Sequence, residues 1–188
     1  MSMLVLASSS PRRRELLARL GVEPVRLASP DIDEDPRSGE LPRRYVERLA
    51  LEKAHAVERA PGEVVLAGDT TVAVGRRILG KPADEADLRR MLLLLSGRRH
   101  HCWSGVCVID TAGKARVRVS DTAVIFKRLS AEEIDWYVTC GEGMGKAGGY
   151  AIQGRAESFV RALSGSHSGV VGLPLFETRA LLAASGIL

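Results

Sequence analysis

The 188-residue chain is poor in aromatic side chains, which make up 4% of it. Base-stacking surfaces need aromatics interleaved with basic residues, and Tyr45, Trp103, Trp136 and Tyr150 do not follow the arginine clusters. Nucleic acid is therefore not an expected partner, and Trp103 and Trp136 are assigned to core or edge packing. Cysteine is scarce too: Cys102, Cys107 and Cys140 show no Cys-x-x-Cys spacing. That argues against a disulfide framework or a thiolate zinc site and fits small apolar residues in a reducing compartment. Cys102 and Cys107, five apart, would face opposite sides of one strand. The histidines are isolated (His55, His167) or adjacent (His100, His101), so histidine metal ligation is not expected. No apolar run nears the ~20 residues of a membrane span, and no secretory leader pattern opens the chain. The expectation is a cytoplasmic protein without a membrane partner.

What is present is ordinary globular composition, 45% apolar and 27% charged. The length suits one domain, 1–188, with two lobes about a cleft. A net charge of +4, mostly from excess arginine, suits polyanionic partners. Met3 to Ala7 reads as a buried strand. Ser10 then offers an N-cap, Pro11 a first helical position and Gly21 a stop for a helix over 12–21. A second helix is expected from Leu41 to Arg59, with Val46, Leu49, Ala50, Ala54 and Val57 on one face. Glu63 to Ala67 reads as a buried strand and Thr71 to Leu79 as a hairpin turning at Gly75. Asp84 caps a helix ended by Gly97. Cys102 to Ile109 and Ala115 to Phe126 read as strands joined by the turn 110–113, and Ser130 with Glu133 forms a capping box. Two short strands, Tyr150–Ile152 and Ser158–Leu163, precede a closing helix from Pro174 to Ala184. Alternating strands and helices with hairpins predict an α/β protein with a mixed sheet.

Four places break local rules without local gain, which marks them for function. Arg12, Arg13 and Arg14 crowd the positive end of a helix dipole, where each cation costs a few tenths to ~1 kcal/mol. Beside Ser8, Ser9 and Ser10 and unsatisfied backbone N–H groups they prepare a phosphate site. Removing Arg13 is accordingly expected to leave stability unchanged or slightly raised. Lys53 falls on the apolar stripe of its helix, either snorkelling from its edge or reaching into a cleft. Asp69 follows a buried strand, a position where α/β proteins place metal ligands and general bases. Lys81 ends the hairpin that Asp69 opens, so the return is expected to set this cation next to the carboxylate. The segment 146–154 has glycines that permit close approach to a ligand, and Gln153 offers an amide.

Together these segments resemble the Maf family. The matching pieces are Leu4 through Arg13, Asp33-Glu34, Glu52-Lys53-Ala54, Gly68-Asp69-Thr70, Gly80-Lys81-Pro82, Leu95-Ser96-Gly97, Lys146 through Tyr150 with Gln153-Gly154, and Val171 through Leu175. The resemblance implies an elongated, two-lobed mixed-sheet α/β fold similar to the inosine-triphosphate pyrophosphatases, with a central nucleotide cleft. It implies hydrolysis of a nucleoside triphosphate to monophosphate and pyrophosphate, with a divalent metal, Mg²⁺ or Mn²⁺. Arg13, Lys53 and Lys81 would hold the triphosphate, Ser8 and Ser10 would donate hydrogen bonds, and Asp69 would accept a proton from water. Glu34 and Asp69 would be the metal ligands. Arg12, Thr70 and Gln153 would choose the base, in the pattern of the branch acting on dTTP and UTP. A branch preferring 7-methyl-GTP carries Trp, Gln and Glu there, an aromatic face and a carboxylate suited to a cationic base. Alternatives implied by the family are a relative acting on other non-standard nucleotides and a nucleotide-sensing regulator of septum formation. Pairing as a homodimer is left open.

Overall fold

A computed structural model describes residues 2–188. The chain runs β1 (Met3–Leu6), α1 (Pro11–Ala18), β2 (Arg26–Leu27), α2 (Pro42–His55), β3 (Glu63–Val74), β4 (Arg77–Leu79) and α3 (Glu85–Leu95). It continues through β5 (Arg99–Ile109), β6 (Ala115–Phe126), α4 (Ala131–Thr139), β7 (Val160–Ser164), α5 (His167–Val171) and α6 (Leu175–Ala184). The seven strands form one mixed sheet in the order β2-β1-β3-β5-β6-β7, with β4 beside β3. β1 is parallel to β2 and β3, and the other pairings are antiparallel. This is the mixed α/β architecture expected from the alternation of elements.

Several helix ends follow their local signals. Asp84 accepts a hydrogen bond from the Asp87 N–H at the start of α3, and Ser130 with Glu133 completes the capping box of α4. Pro11 opens α1, but Ser10 makes no side-chain capping bond, so its hydroxyl is not spent on the helix. α2 is shorter than expected at both ends, and the two-residue β2 and the one-turn α5 carry too little pattern to be read beforehand.

Two expectations change. Tyr150–Ile152 is not a strand: a 3₁₀ turn (Ala147–Gly149) leads into it, and the Ala151 N–H goes to Tyr137 Oη, 3.1 Å, rather than to a neighbouring strand. Most of the expected strand Ser158–Leu163 survives as β7, after a second 3₁₀ turn (Arg155–Phe159). The strand ending at Ala67 and the hairpin arm starting at Thr71 are one continuous twelve-residue β3. Asp69 therefore lies inside a strand, not beyond its end, because β5 pairs with β3 without a break from Val65 to Ala73.

The other edge of β3 is shared. β1 pairs with Glu63 to Leu66 and β4 with Val72 to Val74, so the stretch 67–71 has no strand beside it. This gap separates two groups of core residues. On one side of it, Leu6, Leu17, Leu66, Val108 and Leu182 pack under α1 and α6, while Val5, Ala50, Val65 and Cys107 pack under α2 on the opposite face. Beyond it, Val72, Leu92, Cys102, Phe126 and Tyr137 form the core under α3 and α4. Cys102 and Cys107 thus do lie on opposite faces of β5.

Candidate active site

A cleft of about 660 Å³ opens at the gap in the β3 edge. Ser8, Ser10, Arg12, Arg13, Glu34, Lys53, Asp69, Thr70, Lys81 and Gln153 all line it, whereas Arg14, grouped with Arg12 and Arg13 at the expected phosphate site, does not line it and stands 4.0 Å from Glu23. The open edge explains how neighbours in one strand can share a cavity. Successive strand residues point to opposite faces of a sheet, and only at an edge can both faces drain into one space. Asp69 is on the α2 face. Thr70 is on the α5 face, its Oγ1 3.1 Å from Ser104 Oγ and its hydroxyl directed at the Gly172 carbonyl, 3.5 Å away.

Lys53 is buried and reaches into the cleft rather than snorkelling from the edge of its helix. Its Nζ donates to Asp69 Oδ1 at 2.7 Å and lies 3.0 Å from Glu34 Oε1. α2 comes close enough for this because residue 105, paired with Asp69 across β3 and β5, is glycine. A Cβ there would stand 2.3 Å from the Val46 carbonyl oxygen. Asp69 Oδ2 has no protein hydrogen-bond partner among the described residues. The cation against Asp69 is thus Lys53, supplied by the helix. Lys81, expected there from the hairpin return, makes no ion pair among the described residues, because β4 rejoins β3 only at Val72, beyond Asp69.

Arg13 also differs from expectation. Its guanidinium is half-buried, with Nε donating to the Gly172 carbonyl at 2.9 Å and a terminal N–H to Ser8 Oγ at 3.3 Å. Burial pushes its pKa down, against the opposing pull of Asp69, with Arg12 pushing the same way and Glu34 the other. Arg13 is part of the tertiary framework as well as a cation facing the cleft, which removes the reason to expect higher stability without it. Tyr45, not expected at the site from the sequence, lines the same cavity and donates from Oη to the Glu34 carbonyl at 2.8 Å, tying the loop that carries Glu34 to α2. Its only sequence signal was a polar-tipped aromatic one residue before the apolar stripe of α2. Among the described residues no group of three or more His, Cys, Asp or Glu side chains could hold a metal, and none of the helices is long and apolar enough to cross a membrane.

A buried carboxylate held by a lysine at an open strand edge, ringed by arginine and lysine, sits on motifs spread along nearly the whole chain. A family model described as Maf-like protein matches residues 3–185. The chain belongs to the Maf family. Within that family it is similar to a protein of Sphingopyxis alaskensis named dTTP/UTP pyrophosphatase, 78% identical over 187 residues, covering 100% of this chain and 98% of the relative. A protein of the same name from Novosphingobium aromaticivorans is 60% identical over 185 residues, covering 98% and 92%. Among solved structures, the Ham1 protein of Staphylococcus aureus matches with a TM-score of 0.49 at 16% identity, covering 66% of this chain and 72% of that one. A dITP/XTP pyrophosphatase from Mycobacterium abscessus matches with a TM-score of 0.44 at 22% identity, covering 69% and 76%.

Proposed function

We propose that this Maf-family chain hydrolyses dTTP and UTP to the nucleoside monophosphate and pyrophosphate, as the names of its relatives describe for them. The observation that carries the reading is Asp69: a buried carboxylate with one oxygen bound by Lys53 and the other unpartnered, at the bottom of a cation-lined cleft. Phosphoryl chemistry asks for positioning and charge neutralisation more than covalent help. Arg13, Lys53 and Lys81 hold the triphosphate, and the Ser8 and Ser10 hydroxyls donate to its oxygens. Asp69 takes a proton from water as the water oxygen bonds to the α-phosphorus. The bond from that phosphorus to the bridging oxygen breaks, and its electron pair leaves with pyrophosphate.

The donor set also fits a divalent cation, Mg²⁺ or Mn²⁺. Glu34 and Asp69 converge on one point, now marked by Lys53 Nζ, and each keeps a second oxygen clear of that lysine. Mg²⁺ takes one or two protein carboxylates and completes its shell with water and phosphate oxygens, so a cluster of three protein ligands is not required. When bound, the cation would supply charge neutralisation at the phosphates and make the nearby water more acidic. For base choice, Arg12 disfavours a cationic methylated guanine, while the neutral Gln153 amide can pair with the acceptor and N–H edge of uracil or thymine.

The test is a panel of nucleoside triphosphates with Mg²⁺ or Mn²⁺, scored for monophosphate plus pyrophosphate. dTTP and UTP should lead. Release of orthophosphate, or a preference for 7-methyl-GTP, would overturn the reading.

A further inference from the structure

The glycine-rich segment brings to the cleft a cation that the reading above leaves unused. Lys146 lines the cavity together with Lys81 and Arg12. The loops bearing the two lysines are tied backbone to backbone: the Gly148 N–H donates to the Gly80 carbonyl at 3.0 Å. Gly148 sits at φ +70°, and a Cβ on it would come within 2.7 Å of Val72 Cβ, so the approach is one only glycine permits. Among the described residues none of Arg12, Lys81 and Lys146 has an ion pair, whereas Lys53 has two. Burial lowers the Lys146 pKa, Arg12 and Lys81 push it the same way, and Glu142 opposes. Holding like charges together without a counterion is unfavourable unless a polyanion bridges them.

We propose that Lys146 joins Lys81 in seating the β- and γ-phosphates, and that the pair retains pyrophosphate after the α-phosphorus bond has broken. The inference rests on the proposed pyrophosphatase reading and extends it to the leaving group. The water-activating side of the cleft is the Asp69–Glu34–Lys53 group, whose carboxylates are already paired. The leaving group departs on the side away from the attacking water, and there the unpaired lysines can neutralise it. Pyrophosphate should then bind without a nucleoside and compete with UTP, with an affinity that depends on Lys146. UMP, which carries only the α-phosphate, should depend on it little.

The experiment is calorimetric titration of inorganic pyrophosphate and of UMP into the wild-type chain, Lys146→Gln, Lys146→Met and Lys146→Arg, alongside UTP turnover. Each is run well below the variant's melting temperature, so that a less stable variant is still read folded. Pyrophosphate affinity should fall roughly 10- to 100-fold in the Gln and Met variants and recover most of that in Arg, the range set by loss of charge-assisted hydrogen bonds. UMP affinity should stay within about threefold of wild type. Unchanged pyrophosphate affinity in both uncharged variants, or an equal loss for UMP, overturns the assignment. A wild-type chain that turns over no triphosphate defeats the proposed function instead, and pyrophosphate binding still decides the role of Lys146.

Discussion

On one side of the cleft Lys53 stands 2.7 Å from Asp69 and 3.0 Å from Glu34, and Arg13 is bonded to the Gly172 carbonyl and Ser8. On the other, Arg12, Lys81, Lys146 and the exposed Gln153 have no ion pair or side-chain hydrogen bond to protein among the described residues. The first side is built before substrate arrives. Its charged groups are paired with one another or with backbone, as burial demands, leaving Asp69 Oδ2 open, and so it holds a reacting group in a set position. The second side is unsatisfied until an anion or a base enters. One side should therefore tie catalysis to folding, whereas the other should tie affinity and selectivity to ligand alone.

The strongest test of the built side is Asp69→Asn, which should cut kcat on UTP at least ~100-fold, the scale of a lost proton acceptor. Retention of more than about a tenth of wild-type kcat would take Asp69 out of that role. Gly105→Ala, which touches no substrate, should lift α2 from the sheet, cost about 1–3 kcal/mol by overpacking and lower kcat as Lys53 withdraws. Denaturant titration and UTP assays report the two effects, and wild-type stability would mean that α2 is not held close by this glycine. Arg13→Ala and Lys81→Gln compare the sides directly. Both should lose about tenfold or more in kcat/KM, but only Arg13→Ala should also lose about 1–2 kcal/mol of stability, through the hydrogen bonds left unmade. Equal destabilisation by the two would erase the distinction.

A smaller effect lies behind the unsatisfied side, in the residues that shape it. Tyr150 lines the cleft, and its Oη is 2.8 Å from Nε2 of the buried His100. Burial pushes the His100 pKa from its ordinary 6.5 down to about 4. Between those values the unfolded chain takes up a proton that the folded chain refuses. The stability is thus fully present above about pH 6.5 and is lost as pH falls toward about 4. About 2 kcal/mol should go between pH 7 and pH 4.5 and be spared in His100→Gln, as urea midpoints at the two pH values would show. Glu40 and Glu63, held at about 2 by Arg48 and Arg26 respectively, act only at lower pH. The least effect is expected for Gln153→Glu: a shift of about tenfold or less in the ratio of kcat/KM for UTP over 7-methyl-GTP, with stability unchanged. An unaltered ratio would place base recognition elsewhere in the cleft.

Much was already legible in the residues themselves. Pro11, Asp84 and the Ser130–Glu133 box mark helix starts and Gly75 marks a hairpin, because each acts on backbone groups within a turn or two of itself. Ten named residues line one cleft: Arg12, Arg13 and Lys53 stood out as costs their own segments do not recover, whereas Glu34 and Thr70 were named only through the family resemblance. Tertiary structure alone decided how they meet. Lys53 reaches Asp69 across 16 residues, Thr70 reaches Gly172 across 102 and Arg13 reaches Gly172 across 159. The unbroken β3 depends on β5, the gap beside Asp69 on where β1 leaves the sheet and β4 rejoins it, and the turn at Tyr150 on a hydrogen bond to Tyr137. Local propensity reaches only a few residues along the chain, while backbone pairing and burial are settled between segments that meet only when the whole chain is folded.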